Sequence, residues 1–310
     1  MNDISQAKAS KGPAAYDALG EAMARAAQTV DRALDEALPK PRGLHGRLHE
    51  AMRYAVFAGG KRLRPFLVLE AARLFGAEPE GAARAGAAIE ALHTYSLVHD
   101  DLPCMDDDDL RRGRPTTHIA FDEATAVLAG DALLTIAFEI LADPRTHRSA
   151  EARCRLIARL AEAAGGDGMI GGQMIDMQAP KARFGAEEVR LLQRLKTGQL
   201  FEFACEAGAI LGEAGGEERE RMRAYARDMG LVFQITDDLL DVLSTAEKTG
   251  KAVRKDENQG KATLVSIMGV DGARAEAFKL ARSAGDRLAP YGAKAARLRE
   301  LPLFLLDREA

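Results

Sequence analysis

The chain has 310 residues, 47% of them hydrophobic, enough for a substantial core in one large domain or two ordinary ones. A formal net charge of −4 and a pI near 6.0 argue against a nucleic-acid binder, which would show a basic face. Three cysteines, Cys104, Cys154 and Cys205, form neither a CxxC pair nor an even disulfide set, so reduced thiols in a cytoplasmic protein are expected.

Residues 1–15, MNDISQAKASKGPAA, lack an apolar signal core and carry no arginine. They read as a flexible leader before a single domain spanning residues 16–310. Apolar residues recur at helical spacing from Tyr16 to Leu38, and Pro39, Pro41 and Gly43 end that helix. A second helix runs from Leu44 to Phe57 and closes at Gly59 and Gly60. Lys61-Arg62-Leu63-Arg64-Pro65 precedes a third, through Leu74, and Gly81 to Val98 is helical up to the first aspartates. Asp122–Leu141, Ala150–Ala164, Glu187–Leu211 and Glu217–Leu243 follow, with further helices beyond Ala262. No segment alternates like a strand, and no apolar run approaches a membrane span. The fold class is all-α, a helical bundle with short connections marked by glycine and proline.

Six aspartates fall between Asp100 and Asp109 in the stretch HTYSLVHDDLPCMDDDDLRRGRPTT, and Arg111, Arg112 and Arg114 follow. Carboxylates so crowded repel one another and persist where solvent or cations neutralise them. Mg²⁺ prefers oxygen ligands and typically joins one or two carboxylates to phosphate oxygens, while arginine is a usual phosphate partner. A solvated acidic loop is the plainer reading of one such run. A second run shifts the balance. In GLVFQITDDLLD, Asp237 and Asp241 stand four apart and share a helix face with Gln234 and Gly230, in apolar surroundings of Leu239, Leu240, Val242 and Leu243. His93, Ser96 and Asp100 form the corresponding stripe of the first run. Two Asp-tipped helices on opposite walls of one cavity would hold several metal ions between them.

Asp100 and Asp106 are six residues apart, about 240° around a regular helix. They face one way only if the helix bulges or ends between them, and Pro103 favours such a distortion. Gly59-Gly60-Lys61-Arg62-Leu63-Arg64-Pro65 sets cations beside a helix start, which is an anion site if it is not an ordinary basic loop. Gly166 to Gly171 matches GxGxxG, but it follows a helix and lacks a βαβ unit, so close packing or a kink explains it better than a dinucleotide. No P-loop pattern occurs.

DDLPCMD and DDLLD, with GGKRLRP upstream and KTG and FQ between, resemble the trans-type isoprenyl diphosphate synthases, in particular the bacterial farnesyl diphosphate synthases. The motifs run in the family's order from Lys61 to Lys261. The resemblance implies a bundle around a deep central cavity and a Mg²⁺-dependent reaction, with Mn²⁺ as a substitute. Isopentenyl diphosphate would condense head to tail with an allylic diphosphate to give farnesyl diphosphate. Metal ligands would be Asp100 and Asp106, supported by Asp101, together with Asp237, Asp238 and Asp241. Lys61, Arg64, His93 and Arg112 would hold the diphosphate of isopentenyl diphosphate, and Arg111 would reach the allylic one. Lys196 and Thr197, with Gln234, would face the allylic substrate and steady the leaving group and the carbocation. Phe233 would border the homoallylic tail, and Gln173 and Asp176 would sit on a helix lining the cavity. Lys251 and Lys261, spaced as GK-x4-D-x3-GK, would close over the bound diphosphate. A homodimer is implied by the family alone.

Tyr95 lies five residues before Asp100, about 7.5 Å deeper along a helix. Ideal geometry rotates it off the Asp100 stripe, so its role as cavity floor, beside Ser96, rests on resemblance. An aromatic residue there is similar to C15-forming relatives. Geranylgeranyl diphosphate is the alternative product, because plant and bacterial C20 enzymes share the DDLPCMD insertion. From other classes, His99-Asp100 with His93 would suit an HD-type phosphohydrolase, although the second motif is purely Asp. A non-catalytic subunit would be expected to lose the Asp motifs, and a terpene cyclase to carry an Asn/Ser/Glu second motif.

Overall fold

The computed structural model describes residues 16–179, 184–249 and 263–307, so residues 1–15, Lys251 and Lys261 lie outside the described residues. In chain order come α1 (Asp17–Ala37), α2 (Gly46–Val56), α3 (Leu63–Leu74), α4 (Pro79–Asp100), β1 (Leu110–Arg111), β2 (Arg114–Pro115), α5 (Thr117–Ala120) and α6 (Glu123–Ala142). Next are α7 (Ala150–Ala164), α8 (Met169–Gln178) and α9 (Ala186–Gln193), then a π-helical turn (Arg194–Gly198) leading into α10 (Gln199–Leu211). α11 (Gly216–Thr249), α12 (Leu264–Arg287), a 3₁₀ turn (Ala289–Ala295) and α13 (Ala296–Asp307) complete the order. The all-α class is as expected.

Burial sorts these helices by composition. α1 buries Leu19, Ala22, Ala26, Val30 and Leu34, one stripe at helical spacing, and leaves its charged face to solvent. α4 is buried almost without a break from Gly81 to Thr94, and α10 from Leu200 to Leu211. Both are rich in Ala and Gly, which lets neighbouring backbones approach. A Cβ at Gly208 would stand 2.4 Å from the backbone nitrogen of Ala72, so α10 and α3 meet at that point. α4 packs against α1, α3, α6 and α10 and is the axis of the bundle.

Three features depart from the expectations. β1 and β2 pair antiparallel, Leu110 opposite Pro115 and Arg111 opposite Arg114, in strands too short to show a period of two. The helix expected over Glu187–Leu211 is interrupted by the π turn. α6 is long and apolar enough to cross a membrane by composition, with 20 residues and a mean hydropathy of 1.7, contrary to the reading of the sequence. It buries Ala126, Ala129, Leu133, Ala137 and Leu141 in the protein and packs along α4, which makes it a core helix of the bundle.

The loop before α3 is anchored by a buried ion pair. Arg62, left-handed at φ 47°, donates 2.7 Å from Nη1 to Glu90 Oε1 on α4, and both side chains are almost fully enclosed. Its Nη2 reaches the Val56 carbonyl at 2.7 Å and Asp31 at 2.9 Å. Arg62→Met strands the Glu90 charge, and the expected loss in urea unfolding is about 3–5 kcal/mol. The double change Arg62→Met/Glu90→Met recovers most of it.

Candidate active site

α4 ends where the first Asp motif begins. Asp101 caps it, and the chain curls back under the helix end: Asp106 N donates to Asp100 O at 2.8 Å and Asp107 N to Leu102 O at 3.2 Å. The insertion of Pro103 and Cys104 is therefore a turn. It returns Asp106 to the neighbourhood of Asp100, which answers the geometric objection that six residues cannot share a helix face.

Asp100, Ser96 and His93 line one cavity of about 730 Å³, as their stripe requires. Tyr95, Arg64, Lys196, Thr197, Phe233, Gln234 and Asp237 line the same cavity. α8 adds Met169, Ile170, Gln173, Met174 and Met177, and α6 adds Asp131 and Leu134. The two Asp motifs thus reach one cavity from α4 and α11. Asp131 had no signal in the sequence beyond being a lone carboxylate mid-way along an apolar helix.

Burial pushes Asp100 up to about 6, with Asp106 and Asp101 adding to the shift and Lys196 and Arg111 opposing it. Asp106 itself is exposed beyond the cavity wall, and Asp241 is exposed further along α11. Asp101 and Asp238, expected among the metal ligands, do not line the cavity. Asp101 is buried against Arg111, whose Nε and Nη2 reach its Oδ1 at 2.7 and 2.5 Å. Asp238 accepts from Gln234 Nε2 at 3.0 Å and from Gln193 Nε2 at 3.2 Å. Both hold other side chains in place, and Arg111, expected at the allylic diphosphate, is committed to Asp101.

The π turn explains how Lys196 and Thr197 both face inward. A regular helix rotates consecutive residues apart by about 100°, and the wider turn alters that register. Close backbone contacts hold it: a Cβ at Gly172 would stand 2.3 Å from Lys196 N, and one at Gly230 3.4 Å from Gly198 Cα. Lys196 Nζ reaches Asp176 Oδ2 at 2.5 Å, Thr197 Oγ1 donates to Gln234 Oε1 at 3.1 Å, and Gln234 passes the chain on to Asp238. Both amide atoms of Gln173 are buried with no hydrogen-bond partner.

Arg64 Nη1 stands 3.1 Å from His93 Nε2, so that nitrogen accepts and the ring is neutral. Burial, then the charges of Arg64 and Arg112, holds the imidazole well below its ordinary range. Burial likewise pulls Arg64 down to about 10, with Arg112 adding to the effect. The guanidinium of Arg64 lies 4.9 Å over the Phe201 ring, and its Nε is buried without a partner. Among the described residues neither Arg64 nor Arg112 has a carboxylate within ion-pairing distance. This is electropositive ground beside the carboxylates. Exposed Lys61 stands next to it, because Gly60 presses on Arg112: a Cβ at Gly60 would fall 2.3 Å from Arg112 Nη1.

The chain matches the Polyprenyl synthetase family over residues 45–294. It belongs to that family. It is 42% identical to heterodimeric geranylgeranyl pyrophosphate synthase large subunit 1 of Arabidopsis thaliana, over 96% of this chain and 81% of that one. It is 46% identical to farnesyl diphosphate synthase of Bacillus subtilis, over 73% of this chain and 77% of that one. The apo crystal structure of an FPP/GFPP synthase from Zymomonas mobilis superposes with a TM-score of 0.85 at 47% identity, covering 93% of this chain and 98% of that one. The chain is a prenyltransferase of the isoprenyl diphosphate synthase type, and the phosphohydrolase reading is left without support.

Gly60→Ala tests the cationic half of the site. Its Cβ displaces the Arg112 guanidinium, and φ +138° suits glycine alone. Inorganic diphosphate should bind about tenfold more weakly by calorimetry, a loss of ~1.4 kcal/mol.

Proposed function

We propose that this chain joins isopentenyl diphosphate head to tail to dimethylallyl and then geranyl diphosphate, stopping at farnesyl diphosphate. One observation carries the reading. A single cavity combines Asp100 and Asp237 from two helices, an Arg64–His93 pair, and a lining of Leu134, Met169, Ile170, Met174 and Phe233. Polar groups that recognise diphosphate and apolar groups that accept a hydrocarbon tail meet there.

The family is divalent-metal dependent, and the donor chemistry here fits Mg²⁺, with Mn²⁺ as a substitute. Among the described residues no three His, Cys, Asp or Glu groups converge to hold a cation by themselves. The carboxylates of Asp100, Asp106, Asp237 and Asp241 suit Mg²⁺ when diphosphate oxygens complete its shell, which is how this ion is commonly bound. Bound there, Mg²⁺ supplies positive charge to the departing diphosphate.

The chain's own residues orient and shield. Lys196, held by Asp176, offers its ammonium to the leaving diphosphate, while Thr197 and Gln234 turn their dipoles toward the allylic carbon. Arg64 and Arg112, with Lys61 beside them, take the second diphosphate, and neutral His93 keeps Arg64 aimed. The allylic C–O bond breaks with its electron pair leaving on diphosphate. The double bond of isopentenyl diphosphate supplies the pair for the new C–C bond, and the proton lost in forming the product double bond goes to the released diphosphate. The methionine-rich wall excludes water that would quench the cation.

Tyr95 supports the C15 assignment: buried at the cavity wall one turn and more below Asp100, it blocks a longer tail. A cytoplasmic homodimer belongs to the same proposal. Val127 and Leu128 of α6 are exposed apolar residues of the kind a second copy covers.

A product-length assay tests the reading, with purified protein, Mg²⁺, labelled isopentenyl diphosphate and the C5, C10 and C15 allylic diphosphates taken separately. The expected result is a C15 product from the first two starters and no extension of the third. A C20 product moves the chain to the geranylgeranyl reading that its 42%-identical relative favours. No condensation with any starter overturns the proposal.

A further inference from the structure

The last turn of α4 contains a packing contact that neither diphosphate recognition nor metal binding requires. Tyr95 and His99 are four residues apart, and their rings meet edge to face, centroids 5.4 Å apart at 89°. On its other side the imidazole is fixed by α6. Its Nε2 stands 3.0 Å from the Val127 carbonyl oxygen, so that nitrogen carries the proton and donates. Gly130 makes the approach possible: a Cβ there would lie 2.1 Å from Nε2 and 2.4 Å from Cδ2. The imidazole is wedged between the Tyr95 ring and the backbone of α6. Tyr95 is 6% exposed. Among the described residues its phenol hydrogen-bonds to no protein group, so packing alone sets where its ring stands in the cavity wall.

We propose that His99 and Gly130 are positioning residues for product length, holding the Tyr95 ring at the depth where it stops the growing chain. Without the imidazole the phenol swings toward α6 and the cavity deepens. With a methyl group at position 130 the imidazole is driven onto the phenol and the cavity becomes shallower. Close-packed interiors transmit such shifts because no free volume absorbs them. The inference rests on Tyr95 being the cavity floor, as proposed above.

The test compares product ratios from full-length enzyme, Mg²⁺, labelled isopentenyl diphosphate and, in separate reactions, dimethylallyl or geranyl diphosphate, in the wild type, Tyr95→Ala, His99→Ala, His99→Gln, Gly130→Ala and Tyr95→Ala/His99→Ala. A ratio is not moved by a loss of folded protein, and slower turnover from disturbing neighbouring Asp100 would shorten the products rather than lengthen them. Tyr95→Ala and His99→Ala should each raise the share of products longer than the wild-type product by about tenfold, and the double variant should add nothing to Tyr95→Ala. His99→Gln, whose amide still donates to the Val127 carbonyl, should restore most of the wild-type ratio. Gly130→Ala should lower the extension of the C10 starter relative to the C5 starter. If Tyr95→Ala lengthens the product while His99→Ala and Gly130→Ala keep the wild-type ratio, the inference is overturned and the floor reading stands. If Tyr95→Ala leaves the ratio unchanged, the floor reading fails and takes the inference with it.

Discussion

Like charges held where water is scarce set the terms for everything else in this site. Asp100 stands at the C-terminal end of α4, where unsatisfied carbonyls already carry partial negative charge. Burial and neighbouring Asp106 raise it to about 6, and Asp237 faces the same cavity from α11. A carboxylate in that position is destabilised in its charged form, and cations together with a bridging anion relieve it. The neighbouring ground has the opposite imbalance: among the described residues neither Arg64 nor Arg112 has an ion-pair partner, and burial lowers both, with Arg112 adding to the effect on Arg64 and Arg62 and Arg111 to that on Arg112. Each half of the site is unfavourable alone. On the proposed function, a cation-bridged diphosphate on one side and a second diphosphate on the other would satisfy both.

The bundle holds these groups through close approaches of its glycines to neighbouring segments. Gly172 meets the π turn at Lys196, Gly198 meets Gly230, and Gly60 lies against the Arg112 guanidinium. The contacts at Gly172 and Gly230 are with backbone, which no side-chain rotation can relieve. They fix Lys196 and Thr197 in a register that a regular helix would not supply. Residues without a place in the cavity wall serve the same end, since Asp101 steadies Arg111 and Asp238 steadies Gln234 and Gln193.

Much of this was legible in the sequence because it depends on local spacing. Apolar periodicity marks α1 and α7, and the i, i+3, i+7 stripe of His93, Ser96 and Asp100 does line the cavity. The same is true of Gln234 and Asp237. What was not legible arises from tertiary packing. The π turn is stabilised by glycines from two other helices, so no pattern within Glu187–Leu211 announces it. Asp101 and Asp238 stand beside Asp100 and Asp237 in the sequence, and only their partners reveal that they point elsewhere. Asp131 and Gly130 lie on a helix whose composition suggests a membrane span more readily than a cavity wall.

The central claim is that the two Asp motifs act together through a cation-bridged diphosphate. Calorimetric titration of an unreactive allylic thiolodiphosphate tests it most directly, with and without Mg²⁺, in the wild type, Asp100→Asn and Asp237→Asn. The account predicts that Mg²⁺ tightens wild-type binding by about 100-fold, or ~2.7 kcal/mol. Either Asn variant should lose most of that gain while binding the metal-free ligand at least as well as the wild type, because a repelling charge has gone. Wild-type binding indifferent to Mg²⁺, or a full Mg²⁺ gain in Asp237→Asn, would contradict it.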